Sequence, residues 1–339
     1  MATDQKRQAE DYDSIWELIA AYLMLKHRRK QEEIAEDVRA GVIRTYRRLD
    51  FTDLDNSQLW WVDGTLPTLQ KGFEASQKAT VTFLKDYRAL RVQQLGLDEA
   101  PRPNIVTARQ AATTAAIART RPTGVAPEFN QGQAAARLLA TGPARVKKAM
   151  PAPADQAMAK GLKGALGSAV QVAMQGGREV ALQEVREDRL ITGYQRITDS
   201  DPCYFCALLA ANGPFTTRSY QNNRAFNVNR RTGEAFAPNA AFAVTGEPEG
   251  IAKVHDHCCC VLVPVYEGEF QKTEAARVGA SLWEKASESD SSLNTYRRLY
   301  ESLRRESGPI RDPEPDIRSA LTLIGDDADL QPWAKVLAA

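Results

Sequence analysis

Apolar residues recur at threes and fours through the first hundred positions, the spacing that lays one stripe along a helix. Ile15, Leu18, Ile19, Tyr22 and Leu25, then Ile34, Val38 and Val42, predict a helix over about 14–48. Ser14 and Glu17 stand at capping-box spacing, so the helix is expected to start there. A break is expected over 50–67, carrying Leu59, Trp60 and Trp61. Trp60 and Trp61 suit an anchor in a helical core better than a docking site. A second helix then carries Leu69, Phe73, Leu84, Tyr87 and Leu90, and the two should form an antiparallel hairpin.

The pattern changes over 98–155, where Ala, Pro, Thr, Gly and Arg dominate and prolines interrupt the alanine-rich pieces. Short helices joined by hinges are expected, either wrapping a partner or crossing the surface. Residues 156–190 are again helical. Residues 190–198 and 261–266 are β-branched and aromatic, as strands prefer. A charged helix over about 271–306 and a Pro-rich, acidic tail with a helix near 317–323 complete the chain. The expected fold is mainly α. Its divisions are a helical domain (1–97), an Ala/Pro-rich connector (98–155), a helix plus a Cys/His module (156–268), a C-terminal helix (269–306) and a tail (307–339).

Charge narrows the functional classes. With 44 Lys and Arg against 43 Asp and Glu, no global field drives the chain onto nucleic acid or a membrane, so any such contact must be local. The polar start gives no apolar stretch of the length that a signal peptide or spanning helix requires. No HExxH, GxSxG or Walker lysine motif is present, and the expectation is a protein that is not an enzyme.

All five cysteines lie between 203 and 260, whereas a secreted disulfide framework spreads them to staple the chain. Cys203 and Cys206 form a CxxC turn, and about fifty residues later His255, His257 and Cys258 to Cys260 supply a second cluster. CxxC with HxxC is the spacing of a closed structural zinc site. The ligand set is Cys203, Cys206, His255 and either Cys258 or Cys260, with His257 as an alternative to His255. Cys259 is the weakest candidate, because alternation along an extended segment turns it away from its neighbours. Buried core cysteines and a thioredoxin-like pair are the competing readings; the latter needs a βαβ context that the sequence does not offer.

The order of strand, Asp199-x-Asp201-Pro202-Cys203-x-x-Cys206-x-x-Leu209, Gly213, loop and His255-x-x-Cys258-x-Cys260 resembles the MuF-like minor head protein family of tailed bacteriophages (Mu and SPP1 type), in its actinobacteriophage version. The resemblance covers about 185–268; elsewhere it rests on layout. It implies a minor capsid protein of the virion, present in the host cytoplasm during assembly. It further implies association with the portal and inner head, contact with portal and major capsid proteins, and a role in head assembly or genome delivery. Packaged DNA is a further candidate partner. Cys259 and His257 inside the second cluster depart from the pattern. A head maturation protease and a nucleic-acid-binding zinc module are the rivals.

Three other features bear on partners. Arg224, Arg230 and Arg231, with Arg218, lie among Tyr220, Phe226 and Phe236, a mix that holds phosphates and stacks on bases, although a solvated hairpin is the plainer reading. Tyr296 to Tyr300 with Arg304 and Arg305 reads as a polar helix face. His27, the one histidine outside the cluster, sits on a basic stretch and is expected to be solvated.

Overall fold

The apolar stripes of the amino-terminal half are long enough to bury one another, and they set the architecture. The computed structural model describes residues 2–338 except 97–126, 189, 192, 212–214, 217–258, 267–272, 291, 311–314, 326–327 and 329. Helix α1 (Ala2–Tyr46) and helix α2 (Leu54–Gln94) form the predicted hairpin. Ile15, Ile19 and Leu23 of α1 share a core with Phe83, Tyr87 and Leu90 of α2, while Val38 and Val42 meet Trp61, Leu66 and Leu69 at the other end. The two helices are therefore antiparallel.

Both helix boundaries differ from expectation. α1 already runs from Ala2, so Ser14 lies inside the helix and not at its start, and Glu17 accepts from Arg91 Nη1 of α2 at 2.7 Å. The break spans only 47–53, where Asp50 Oδ1 accepts from the amide and hydroxyl of Thr52, both at 2.8 Å. Pro67 lies inside α2, on its exposed side, where the lost amide is cheapest because the packing is carried by Leu66 and Leu69. Trp61 is thereby helical and fully buried, edge-on to Tyr46 with ring centres 5.6 Å apart, while Trp60 is 74% exposed.

Residues 131–149, within the expected connector, fold as α3 (Gln131–Thr141) and α4 (Pro143–Ala149). Asn130 caps α3, its side chain accepting from Gln133 N at 2.9 Å. Leu138 and Val146 are completely buried in the same core as Trp61, so this stretch is packed into the bundle. Helix α5 (Ala154–Glu187) lies against both α1 and α2 and completes a three-helix bundle. Its Ala and Gly residues allow close approach. A Cβ at Gly177 would stand 2.7 Å from Ser76 Oγ, and the Gly177 amide donates to that oxygen at 3.1 Å. Gln31 closes this node by donating to Thr80 Oγ1 at 3.1 Å and accepting from Ser76 Oγ at 2.7 Å, so three helices share one satisfied polar knot.

The chain then changes period. β1 (Gly193–Ile197) is the middle strand of a three-stranded antiparallel sheet, flanked by β2 (Phe215–Thr216) and β3 (Val261–Val265). Gly193 pairs with Val265 and Ile197 with Val261, and Pro264 is tolerated because β3 is an edge strand. Every residue of β1 and β3 is buried, and Ile197, Leu262 and Tyr266 join the core of the bundle's far end. Between β1 and β2 lies α6 (Tyr204–Ala211).

The expected single helix over 271–306 is two, α7 (Glu274–Ser289) and α8 (Leu293–Ser307). Asp290 ends the first and Ser292 caps the second, accepting from Thr295 N at 3.1 Å. Both pack on α6, whose backbone comes so close at Ala207 that a Cβ at Gly279 would sit 2.9 Å from its carbonyl carbon. The expected tail also folds back. α9 (Ile317–Ile324) and α10 (Gln331–Ala338) bury Ile324, Trp333 and Leu337 against α1 and α2, and Trp333 Nε1 donates to Gln93 Oε1 at 2.9 Å. The protein is mainly α. Among the described residues no helix is long and apolar enough to cross a membrane.

Candidate metal centre

Cys203 ends the loop after β1, Cys206 sits in the first turn of α6, and Cys260 directly precedes β3. The antiparallel β1–β3 pair brings the start of β3 beside the end of β1, which closes the gap of more than fifty residues between them. The three side chains form their own cluster, with Cys206 and Cys260 each 1% exposed and Cys203 packed against them. The amide of Cys206 donates to Cys203 Sγ at 3.4 Å. Cys203, Cys206, Cys259 and Cys260 are not joined in disulfides.

Cys259 lies on the other side of the chain. It is buried in the core of the three-helix bundle, where Arg39 Nη2 donates to its sulfur at 3.7 Å, while its amide donates to Asp199 Oδ2 at 3.3 Å. Adjacent cysteines of one extended segment thus serve two different cores. His255, His257 and Cys258, and the arginines Arg224, Arg230 and Arg231, lie outside the described residues. Among the described residues alone no group of three or more His, Cys, Asp or Glu is placed to hold a metal ion. Cys203, Cys206 and Cys260 are three members of the expected four-ligand set, and soft sulfur donors suit zinc chemically.

The loop that carries Cys203 is fastened from several directions. Ser200 N donates to Glu32 Oε1 of α1 at 2.6 Å, Tyr300 of α8 donates its hydroxyl to Pro202 O at 2.7 Å, and Arg304 pairs with Asp201. On the β3 side Arg178 Nε of α5 donates to Cys260 O at 3.3 Å. Tyr296 and Tyr300 are buried beside the sulfurs, so the face expected to be polar is half apolar; their phenols are pushed up, chiefly by burial and further by the nearby thiols. Sequence reasoning missed Glu32 and Arg178, and it singled out Tyr296 and Tyr300 only as part of a polar face. The i, i+4 spacing of Tyr296 and Tyr300 was the available signal.

His27 is not solvated. It is 5% exposed and stacks on Phe83 with ring centres 4.4 Å apart, and burial lowers its pKa to about 3. It lines a small cavity with Gln31, Ser76, Thr80, Arg178 and Cys260, between the bundle and the Cys loop.

Fold and site together describe a mainly α protein whose helical bundle carries a small β module built around cysteines. The sequence model described as VG15 protein matches residues 19–286, and the chain belongs to that family, a family of viral and phage proteins. It is a bacteriophage protein of the virion-related kind. No curated protein and no solved structure matches it.

Proposed function

We propose that this chain is a MuF-like minor head protein, held at the portal and inner face of the phage head, and that it acts by position and contact in head assembly or genome delivery. The observation that carries the reading is the matched span. The VG15 match over 19–286 encloses the whole motif on which the minor-head resemblance rests, from β1 through Cys203 and Cys206 to Cys260.

The cysteine module is its clamp. Cys203, Cys206 and Cys260, with His255 as the fourth ligand, His257 as the alternative to His255 and Cys258 as the alternative to Cys260, would hold one zinc ion. Zinc with four protein ligands has no open position for water, and its role is to fix the fold. The burial of His27 supports a non-enzymatic reading, since a base must reach a substrate proton and this ring is stacked inside the bundle.

Mass spectrometry of purified particles tests the reading, with the copy number counted against the portal. The chain should be present at low copy number and should copurify with portal or capsid protein. Its absence from finished particles, or loss of head-protein cleavage in a His27→Ala variant, would favour the maturation protease instead.

A further inference from the structure

One face of α8 addresses the CxxC turn step by step. Tyr296, Tyr300 and Arg304 stand at i, i+4 and i+8, so they share a side of the helix. Arg304 pairs with Asp201, and one turn back the Tyr300 hydroxyl donates to Pro202 O at 2.7 Å. Each turn towards the start of α8 therefore moves one residue further along the loop. Tyr296, a turn before Tyr300, comes opposite the next residues, Cys203 and the first turn of α6 with Cys206. It packs in one cluster with Ala207, the residue after Cys206.

The Tyr296 hydroxyl differs from its neighbour in one respect. Tyr300 has already given its single proton to Pro202 O, whereas the buried hydroxyl of Tyr296 has no hydrogen-bond partner among the described residues. A buried hydroxyl left unpaired costs stability, so its place calls for a physical reason. Trp283 packs edge-on against the ring, with ring centres 5.8 Å apart. Burial holds the phenol well above its usual range, and Tyr300, Cys203 and Cys206 raise it further. The hydroxyl keeps its proton and is a donor close to both sulfurs.

Zinc changes what those sulfurs accept. A neutral thiol is a weak acceptor, but a metal-bound thiolate carries negative charge and takes charge-assisted hydrogen bonds from the groups around it. The amide of Cys206 is one such donor, 3.4 Å from Cys203 Sγ. We infer that the Tyr296 hydroxyl is another, donating to the Cys203–Cys206 pair when that pair holds metal, and that Tyr296 is a positioning residue tying α8 to the centre. The inference rests on the zinc reading proposed above.

Zinc(II) and cobalt(II), added separately to the metal-free full-length chain, test it, because cobalt reports on its thiolate ligands through their charge-transfer absorption. Tyr296→Phe keeps the ring and removes only the oxygen. It should still bind one equivalent of either metal, with zinc affinity about 10–100-fold lower in competition with a chelator. Its sulfur-to-cobalt band should move to lower energy, since a thiolate that loses a hydrogen bond gives up its electron more easily. Tyr300→Phe should leave the band in place, because that hydroxyl donates to a carbonyl. Without metal, Tyr296→Phe should unfold at the same urea concentration as the unaltered chain or a higher one, as it deletes an unpaired polar group.

Zinc affinity and cobalt spectrum both unmoved by Tyr296→Phe would overturn the inference and leave the zinc site standing. An equal band shift in Tyr300→Phe would also overturn it, because it would show a general loosening of α8. An unaltered chain that takes up neither metal would overturn the zinc reading and this inference together.

Discussion

The three-helix bundle and the cysteine module solve the same problem with different means. In the bundle, α1, α2 and α5 bury long stripes of Ile, Val, Leu and aromatic side chains, and the interdigitated area is large enough to hold the helices together. The module has a sheet with one two-residue strand, an eight-residue helix, α6, and a small cluster of Ala207, Leu282, Ala286, Tyr296 and Tyr300. Apart from β1 and β3, whose residues join the core of the bundle, the module has little apolar area to set against the conformational entropy of ordering its loops. Buried Cys206 and Cys260 and half-buried Cys203 meet within it. Adjacent residues show the division: Cys259 adds its bulk to the bundle, and Cys260 turns to the sulfurs.

The comparison is broken most severely at the sulfurs. On the proposed zinc site, Cys206→Ser should release the module while leaving the bundle folded, because structural zinc binding in zinc-finger peptides is worth roughly 10–16 kcal/mol. Limited proteolysis should cut the variant first within 198–266. Since α7 and α8 pack on α6 and on the Cys203 loop, cleavage should extend into 273–307 as well. A chelator should reproduce the effect on the unmodified chain.

Trp61→Ala reverses the test. A fully buried indole removed from between α1, α2 and the α3–α4 corner should cost about 3–5 kcal/mol, seen as a lower urea midpoint of the helical signal. The proteolytic resistance of the module should change far less than in Cys206→Ser.

A third perturbation sharpens the boundary between the two regions, where His27 is buried. Its folded pKa is lowered from 6.5 to about 3 by burial. Between those values the unfolded chain binds a proton that the folded chain does not, so stability is complete above about pH 6.5 and declines as pH falls towards 3. The slope is up to about 1.4 kcal/mol per pH unit. His27→Leu should flatten that dependence when helix unfolding is followed from pH 6.5 to 4. The smallest effect belongs to Trp60→Ala: with 74% of the residue exposed, stability should move by no more than about 0.5 kcal/mol.

How much of this was legible depends on what kind of signal each element leaves. The α1–α2 hairpin follows from periodicity, and the alternation that set Cys259 apart is a property of any extended segment. The strands were visible because β-branched residues cluster on both sides of the Cys motifs. Local rules failed where tertiary packing outweighed them. Pro67 and the adjacent tryptophans suggested a break, yet Leu66 and Leu69 keep the helix continuous. Ser14 and Glu17 matched a cap, but the residues before them are themselves good helix formers and Glu17 has a distant partner in Arg91. The basic run around His27 looked solvated, because nothing local announces that Phe83 will cover the ring. The tail gave an acidic, Pro-rich composition, and only the fold reveals that Trp333 and Leu337 return to α1 and α2.

The central claim is that sulfur-bound zinc does for the module what apolar area does for the bundle. Zinc content and zinc K-edge absorption, measured on the protein purified without added chelator, test it most directly. The expected result is one zinc per chain in a four-coordinate site with three sulfurs and one nitrogen, reduced to two sulfurs or to no metal in Cys206→Ser. Well under one zinc per chain in a protein whose module nonetheless resists proteolysis would contradict it.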